Sequence, residues 1–154
     1  MIVIDTSVAV KWVIDEPGSQ QALMILDSGE TLLAPDFMLV ETASALRRKV
    51  RLGQISHDHM LKGVELISQS INEFVPSRQL ITRAAALSFE LDHSPYDCCF
   101  LVAGMAHGFL LTDDAVFARK CQLAGYGPNI RILSDSVEQP SSGLRLRPPS
   151  SAKD

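Results

Sequence analysis

Apolar residues fall along the chain in two patterns. Short uninterrupted runs, Ile2-Val3-Ile4, Thr31-Leu32-Leu33-Ala34, Phe109-Leu110-Leu111 and Ile130-Arg131-Ile132-Leu133, lack a regular polar alternation and read as strands buried on both faces of a sheet. Phe74-Val75 is a shorter candidate of the same kind. Between the runs, apolar positions recur at helical spacing. Asp5-Thr6-Ser7 caps a helix that continues through Val13, and Pro17-Gly18 makes a turn. Further helices are predicted over 19–29, 35–53, 56–70, 78–91, 95–107 and 114–124, with Pro95 in a first turn, where proline is tolerated. Short buried strands alternating with helices predict an α/β fold with a central parallel sheet flanked by helices. After Ser134 the pattern dissolves. Residues 136–154, rich in Ser and Pro and carrying Arg145, Arg147 and Lys153, read as a flexible C-terminal tail on a single domain of residues 1–135.

Composition narrows the class. With 154 residues, 46% of them hydrophobic and 21% charged, the chain has one domain's worth of core and is not disordered throughout. The first apolar run follows no basic segment and is broken by Asp5, so it is not a targeting signal. The apolar stretch 98–106 is about half the length of a membrane helix. Cys98, Cys99 and Cys121 are an odd set with an adjacent pair, a poor disulfide framework, so a reducing, cytoplasmic location is expected. The net charge of −4 excludes a broadly basic surface but not a local basic patch.

The acids are unusually placed. Asp5 ends the first strand, and in an open parallel sheet ligands bind beyond the strands' carboxyl ends. Asp113 and Asp114 follow the strand that ends at Leu111, and two adjacent acids repel unless a cation is near. Asp97 heads the apolar helix that follows Pro95, where its charge also suits the helix dipole. Glu41 borders an apolar helix face; taken alone it reads as the wet edge of that face. Together, four carboxylates can converge at one sheet edge. Such an oxygen-rich cluster suits Mg²⁺, with Mn²⁺ able to substitute. Asp5, Glu41, Asp97 and Asp114 equal the whole negative excess of the chain.

These residues, in this order, resemble the PIN-domain ribonucleases, and within them the toxin component of VapBC-type toxin–antitoxin pairs. Ile2-Val3-Ile4-Asp5-Thr6-Ser7-Val8 looks like the first motif of that family, and Ala34-Pro35-Asp36 leading to Val40-Glu41 like the second. Ser94-Pro95-Tyr96-Asp97 looks like the third, and Leu111-Thr112-Asp113-Asp114 running to Phe117 like the fourth. The match spans 1–133. The fourth motif usually carries its acid two residues after the threonine; Asp114 holds that place and Asp113 is additional. The resemblance implies a PIN fold, endoribonuclease activity on RNA, inhibition by a cognate antitoxin, and a homodimer.

On this reading Asp5, Glu41, Asp97 and Asp114 are catalytic, with Asp5, Asp97 and Asp114 holding a metal ion directly or through water. Glu41 holds a second ion or orients the attacking water. Thr6, Ser7 and Thr112 carry hydroxyls able to orient ligands and waters, though Ser7 and Thr112 also suit simple capping, and Asp113 serves as an outer acid or helix cap. Arg48, seven residues after Glu41, lies on roughly the same helix face and is the candidate RNA contact, an antitoxin contact or solvated helix end being the alternatives. His93 and His107 stand isolated, His57 and His59 begin a surface helix, and the cysteines read as small core residues. Two rivals differ in class. A phosphoacceptor receiver would want paired acids after the first strand and a lysine after a late one; Asp5 stands alone and Leu133-Ser134-Asp135 has no lysine. The other is a PIN-like RNA-processing nuclease or weakly active RNA-binding module outside any toxin–antitoxin pair.

Overall fold

A computed structural model of the protein describes residues 1–134; the expected tail, 136–154, lies outside the described residues. Among the described residues five strands form one sheet: β1 (Ile2–Ile4), β2 (Leu32–Pro35), β3 (Glu73–Val75), β4 (Phe109–Thr112) and β5 (Ile130–Ile132). Every neighbouring pair is parallel and the spatial order is β3-β2-β1-β4-β5. The α/β architecture expected from the alternating pattern is therefore present. Ile2, Val3 and Ile4 are all buried, which is what a central strand covered on both faces requires.

Among the described residues seven α-helices flank the sheet: α1 (Thr6–Ala9), α2 (Ser19–Leu26), α3 (Met38–Arg51), α4 (His57–Ser70), α5 (Ser77–Glu90), α6 (Pro95–His107) and α7 (Ala115–Leu123). Helix α6 buries Cys98, Cys99, Phe100, Leu101, Ala103 and Gly104. Gly104 permits the close approach of α6 to β4, since a Cβ there would lie 2.6 Å from the Leu110 nitrogen. The cysteines are free core residues, and burial pushes the Cys98 thiol up to about 11 and that of Cys121 to about 12. Trp12 is buried and its indole N–H donates to the Ala22 carbonyl at 2.9 Å.

Two boundaries differ from the periodicity. The helix expected from Asp5 to Val13 is split into α1 and a 3₁₀ turn, Val10–Trp12. The β-branched residues Val8, Val10, Val13 and Ile14 favour a long α-helix poorly. The helix expected from Pro35 begins only at Met38: Pro35 closes β2, and Asp36 Oδ1 accepts the Ser77 N–H at 3.0 Å, tying this turn to α5.

Chain order and spatial order together locate the site. From β1 the chain builds β2 and β3 on one side, then returns to place β4 and β5 on the other. The reversal falls between β1 and β4, and the crevice at such a switch point, beyond the carboxyl ends of the strands, is where open α/β sheets bind ligands.

Candidate active site

Asp5 stands at that switch point. Its backbone N–H still donates to the Leu111 carbonyl at 3.0 Å, so the residue continues the ladder between β1 and β4. It occupies the N-cap position of α1, yet its carboxylate makes no capping hydrogen bond there. The carboxylate turns to two hydroxyls: Thr112 Oγ1 donates to Oδ2 at 2.5 Å and Ser7 Oγ at 2.7 Å. The same hydroxyls bind the β4–α7 turn. Ser7 Oγ accepts the Asp113 N–H at 3.1 Å and Thr112 Oγ1 the Asp114 N–H at 3.0 Å. Ser7 and Thr112 thus each donate to Asp5 and accept a backbone N–H of the turn.

Glu41 lies in the first turn of α3, half-buried, and Thr6 Oγ1 donates to its Oε2 at 2.8 Å. Asp97 lies in the first turn of α6, whose N-cap Ser94 accepts the Tyr96 N–H. His93 Nε2 sits 2.9 Å from Asp97 Oδ2, and the His93 ring stacks on Phe117 at 4.4 Å between centroids. His93, isolated in the sequence, is a partner of the acidic cluster. The spacing of four residues to Asp97 was the available signal, hidden because the helix starts only after His93.

Asp114, not Asp113, is the cap of α7: its Oδ1 accepts the Phe117 N–H at 2.9 Å. Asp113 is drawn the other way, its Oδ2 3.0 Å from Lys11 Nζ. Lys11 also lies 3.2 Å from Glu16 Oε1, while Lys49 takes Glu16 Oε2 at 3.0 Å. Burial pulls the Lys11 ammonium down, but Asp113 and Glu16 outweigh it and hold the ion above its ordinary value. Burial likewise lifts the Glu16 carboxyl, and Lys49 and Lys11 together more than reverse that. Lys11 and Glu16 escaped the sequence reading. The signal was a single charge inside the apolar run from Val8 to Ile14, which needs a buried counter-ion.

Charges within the acidic set act on Asp5, Glu41 and Asp97. Burial raises the Asp5 carboxyl, its two hydroxyl partners lower it, and the charge of Asp114 raises it further. Glu41 is raised by burial and by Asp5 and Asp97, against the bond from Thr6. Asp97 is raised by burial, Asp5 and Asp114, against the pull of His93. Each carboxylate has a local donor, and among the described residues no three His, Cys, Asp or Glu side chains come together tightly enough to hold a metal ion. In donor chemistry the set fits a hard divalent cation, being all carboxylate oxygen with an uncompensated charge that a cation would relieve.

Arg48 lies near the end of α3, exposed, two turns or about 10 Å along the axis from Glu41. Among the described residues neither it nor Arg47 or Arg51 pairs with an acid, whereas Lys49 is diverted to Glu16. His59 Nε2 is hydrogen-bonded to the Val13 carbonyl oxygen at 2.8 Å.

The chain matches the PIN domain family over residues 2–123 and belongs to it. The PIN family is generally one of metal-dependent nucleases, so a nuclease acting on RNA with a divalent metal is the class this membership suggests. The fold is shared with the crystal structure of PAE2754 from Pyrobaculum aerophilum, at a TM-score of 0.67 and 15% identity over 87% of this chain and 84% of that one. No curated protein matches the chain in sequence. Among the described residues no helix is long and apolar enough to cross a membrane.

Proposed function

We propose that the protein is a Mg²⁺-dependent endoribonuclease, Mn²⁺ substituting, and the cytoplasmic toxin of a VapBC-type pair. The observation that carries the nuclease reading is the placing of Asp5, Glu41, Asp97 and Asp114 around the switch point, where burial raises three of them and, beyond burial, Asp114 acts on Asp5 and Asp97, and Asp5 on Glu41 and Asp97.

Asp5, Asp97 and Asp114 would hold the cation, which when bound supplies a more acidic water and relieves charge on the phosphate oxygens. The chain's own residues do the positioning. Thr112 and Ser7, both on Oδ2, fix the plane of the Asp5 carboxylate. Glu41, held at Oε2 by Thr6, presents Oε1 to the attacking water. Its raised proton affinity suits that oxygen to receive the proton as the water oxygen bonds to phosphorus and the P–O bond to the departing ribose oxygen breaks, that oxygen taking a proton from solvent water. His93 steadies Asp97, and Arg48 offers a cation to the RNA backbone.

The toxin reading rests on the motif order together with apolar surface left for a partner. Leu61 and Leu66 of α4 are exposed, and Leu66 joins Trp12, Val13 and Gly63 in a cleft of about 370 Å³ whose other walls are the polar Ser56, Asp58, His59 and Lys62. An antitoxin helix would lay its apolar face there. We assign the nuclease unit to residues 1–135 and expect a homodimer. Purified protein should cleave RNA with Mg²⁺ or Mn²⁺ and stop in EDTA. Expressed alone it should arrest growth, and co-expression of its antitoxin should restore it. Cleavage without growth arrest would place the protein among PIN nucleases outside toxin–antitoxin pairs.

A further inference from the structure

Lys11 is buried, 6% exposed, in a turn whose other side chains, Val10 and Trp12, are apolar. An ammonium has three protons, and three acceptors surround this one: the Pro17 carbonyl at 2.6 Å, Glu16 Oε1 at 3.2 Å and Asp113 Oδ2 at 3.0 Å. With its donors engaged and its charge buried, Lys11 is not placed to receive a substrate phosphate. Nor does Glu16 by itself account for the charge, since Lys49 already pairs with that residue. An apolar side chain would fill the space without the cost of desolvating an ion. Among the described residues Asp113 is the acid that pairs with Lys11 and with no other cation.

Asp113 sits in the turn that carries Asp114. That turn is tied to the end of β1 at two points already, Thr112 Oγ1 on Asp5 and the Asp113 N–H on Ser7. Lys11 adds a third. The two adjacent acids consequently part: Asp113 is held by Lys11, and Asp114 caps α7 near enough to Asp5 and Asp97 to raise both.

We propose that Lys11 is a positioning residue of the acidic centre: by holding the Asp113 carboxylate away from Asp5 and Asp97, it leaves Asp114 as the acid of the 112–114 turn that meets the divalent cation. The inference rests on the nuclease reading above and adds a residue to it.

The test compares wild type, Lys11→Met and Lys11→Met/Asp113→Asn, each prepared metal-free. Calorimetry gives Mn²⁺ affinity, thermal melting gives stability, and RNA cleavage well below the melting temperatures gives kcat and KM. Lys11→Met should melt lower, bind Mn²⁺ about 10–100-fold more weakly and lose kcat by a similar factor, with KM within about twofold. The double variant, freed of the stray negative charge, should regain most of the melting temperature and return to within about threefold of the wild-type Mn²⁺ affinity. If Lys11→Met melts lower but keeps wild-type Mn²⁺ affinity and kcat, Lys11 is structural alone and the proposal is overturned. If Lys11→Met does not fold, the double variant decides: near wild-type affinity supports the proposal and weak affinity overturns it. A wild type that binds no Mn²⁺ removes both the nuclease reading and this one, whereas a wild type that binds Mn²⁺ without cleaving RNA contradicts only the former, and the affinities still judge Lys11.

Discussion

Thr112 Oγ1 donates to Asp5 Oδ2 at 2.5 Å, joining the carboxyl ends of β4 and β1 across the switch point of the sheet. The same oxygen accepts the Asp114 N–H, so one hydroxyl connects two of the acids through a strand end and a turn. Thr112 is fully buried, which makes the connection rigid and its loss expensive.

Thr112→Val keeps the shape and removes the hydroxyl. Stability should fall by about 1–3 kcal/mol, because a buried carboxylate oxygen and a backbone N–H both lose a partner. RNA cleavage should fall about 10–100-fold from the misplacement of Asp5. Urea denaturation and steady-state kinetics check the two effects; unchanged cleavage would show that the hydroxyl does not orient Asp5.

Stability of the metal-free protein should depend on pH in a definite direction. Asp5, Glu41 and Asp97 are all raised in the folded state. Each therefore favours folding fully below the unfolded carboxyl pKa, and that contribution is lost as pH rises through the folded value. Glu16, lowered by Lys49 and Lys11, works in the opposite sense, its contribution lost as pH falls. Asp5→Asn removes one raised group. In EDTA the variant should gain on wild type as pH goes from about 4 to 7, a trend read from paired urea denaturations. A difference that is flat or shrinks over this range would contradict the raised value of Asp5. Mn²⁺ should reverse the trend for wild type, adding about 2.7 kcal/mol when present at a hundred times its Kd.

Asp113 and Asp114 should separate in function as they do in space. Asn also caps helices well, so Asp114→Asn should cost only a few tenths of a kcal/mol, whereas Asp114→Ala should cost about 1 kcal/mol. Both should lose most cleavage and bind Mn²⁺ clearly more weakly. Asp113→Asn should lose less, about 10–100-fold at most. The opposite ranking in calorimetry and cleavage would put Asp113 at the metal.

The sheet was legible because its strands are uninterrupted apolar runs; Ile2-Val3-Ile4 admits few other readings, and the weak run Phe74-Val75 became the edge strand β3. Asp5, Glu41, Asp97 and Asp114 were legible as candidates because each stands at a strand end or beside an apolar helix face. Their partners were harder. Lys11 and Asp113 meet only once the sheet has folded, and no local periodicity encodes that contact. The cap of α7 was ambiguous because two adjacent acids can each serve; in the fold Asp114 takes the cap while Asp113 pairs with Lys11. The 3₁₀ turn at Val10–Trp12, read as a continuous helix, is the element that carries Lys11.

His93 offers a check on the least legible contact. His93→Phe preserves a ring to stack on Phe117 and removes the nitrogen beside Asp97. Cleavage should fall by about tenfold, the lower end for a residue that orients a ligand. Melting should change little, since the packing is kept. A variant with full activity would mean that Asp97 needs no help from His93.

The most direct test of the account is Mn²⁺-dependent RNA cleavage by wild type and Asp5→Asn side by side, with calorimetry on the same preparations. The account predicts that wild type binds Mn²⁺, cleaves RNA and stops in EDTA, while Asp5→Asn folds, binds the ion clearly more weakly and leaves RNA intact. Near-normal cleavage by Asp5→Asn, or full wild-type cleavage in EDTA, would contradict it.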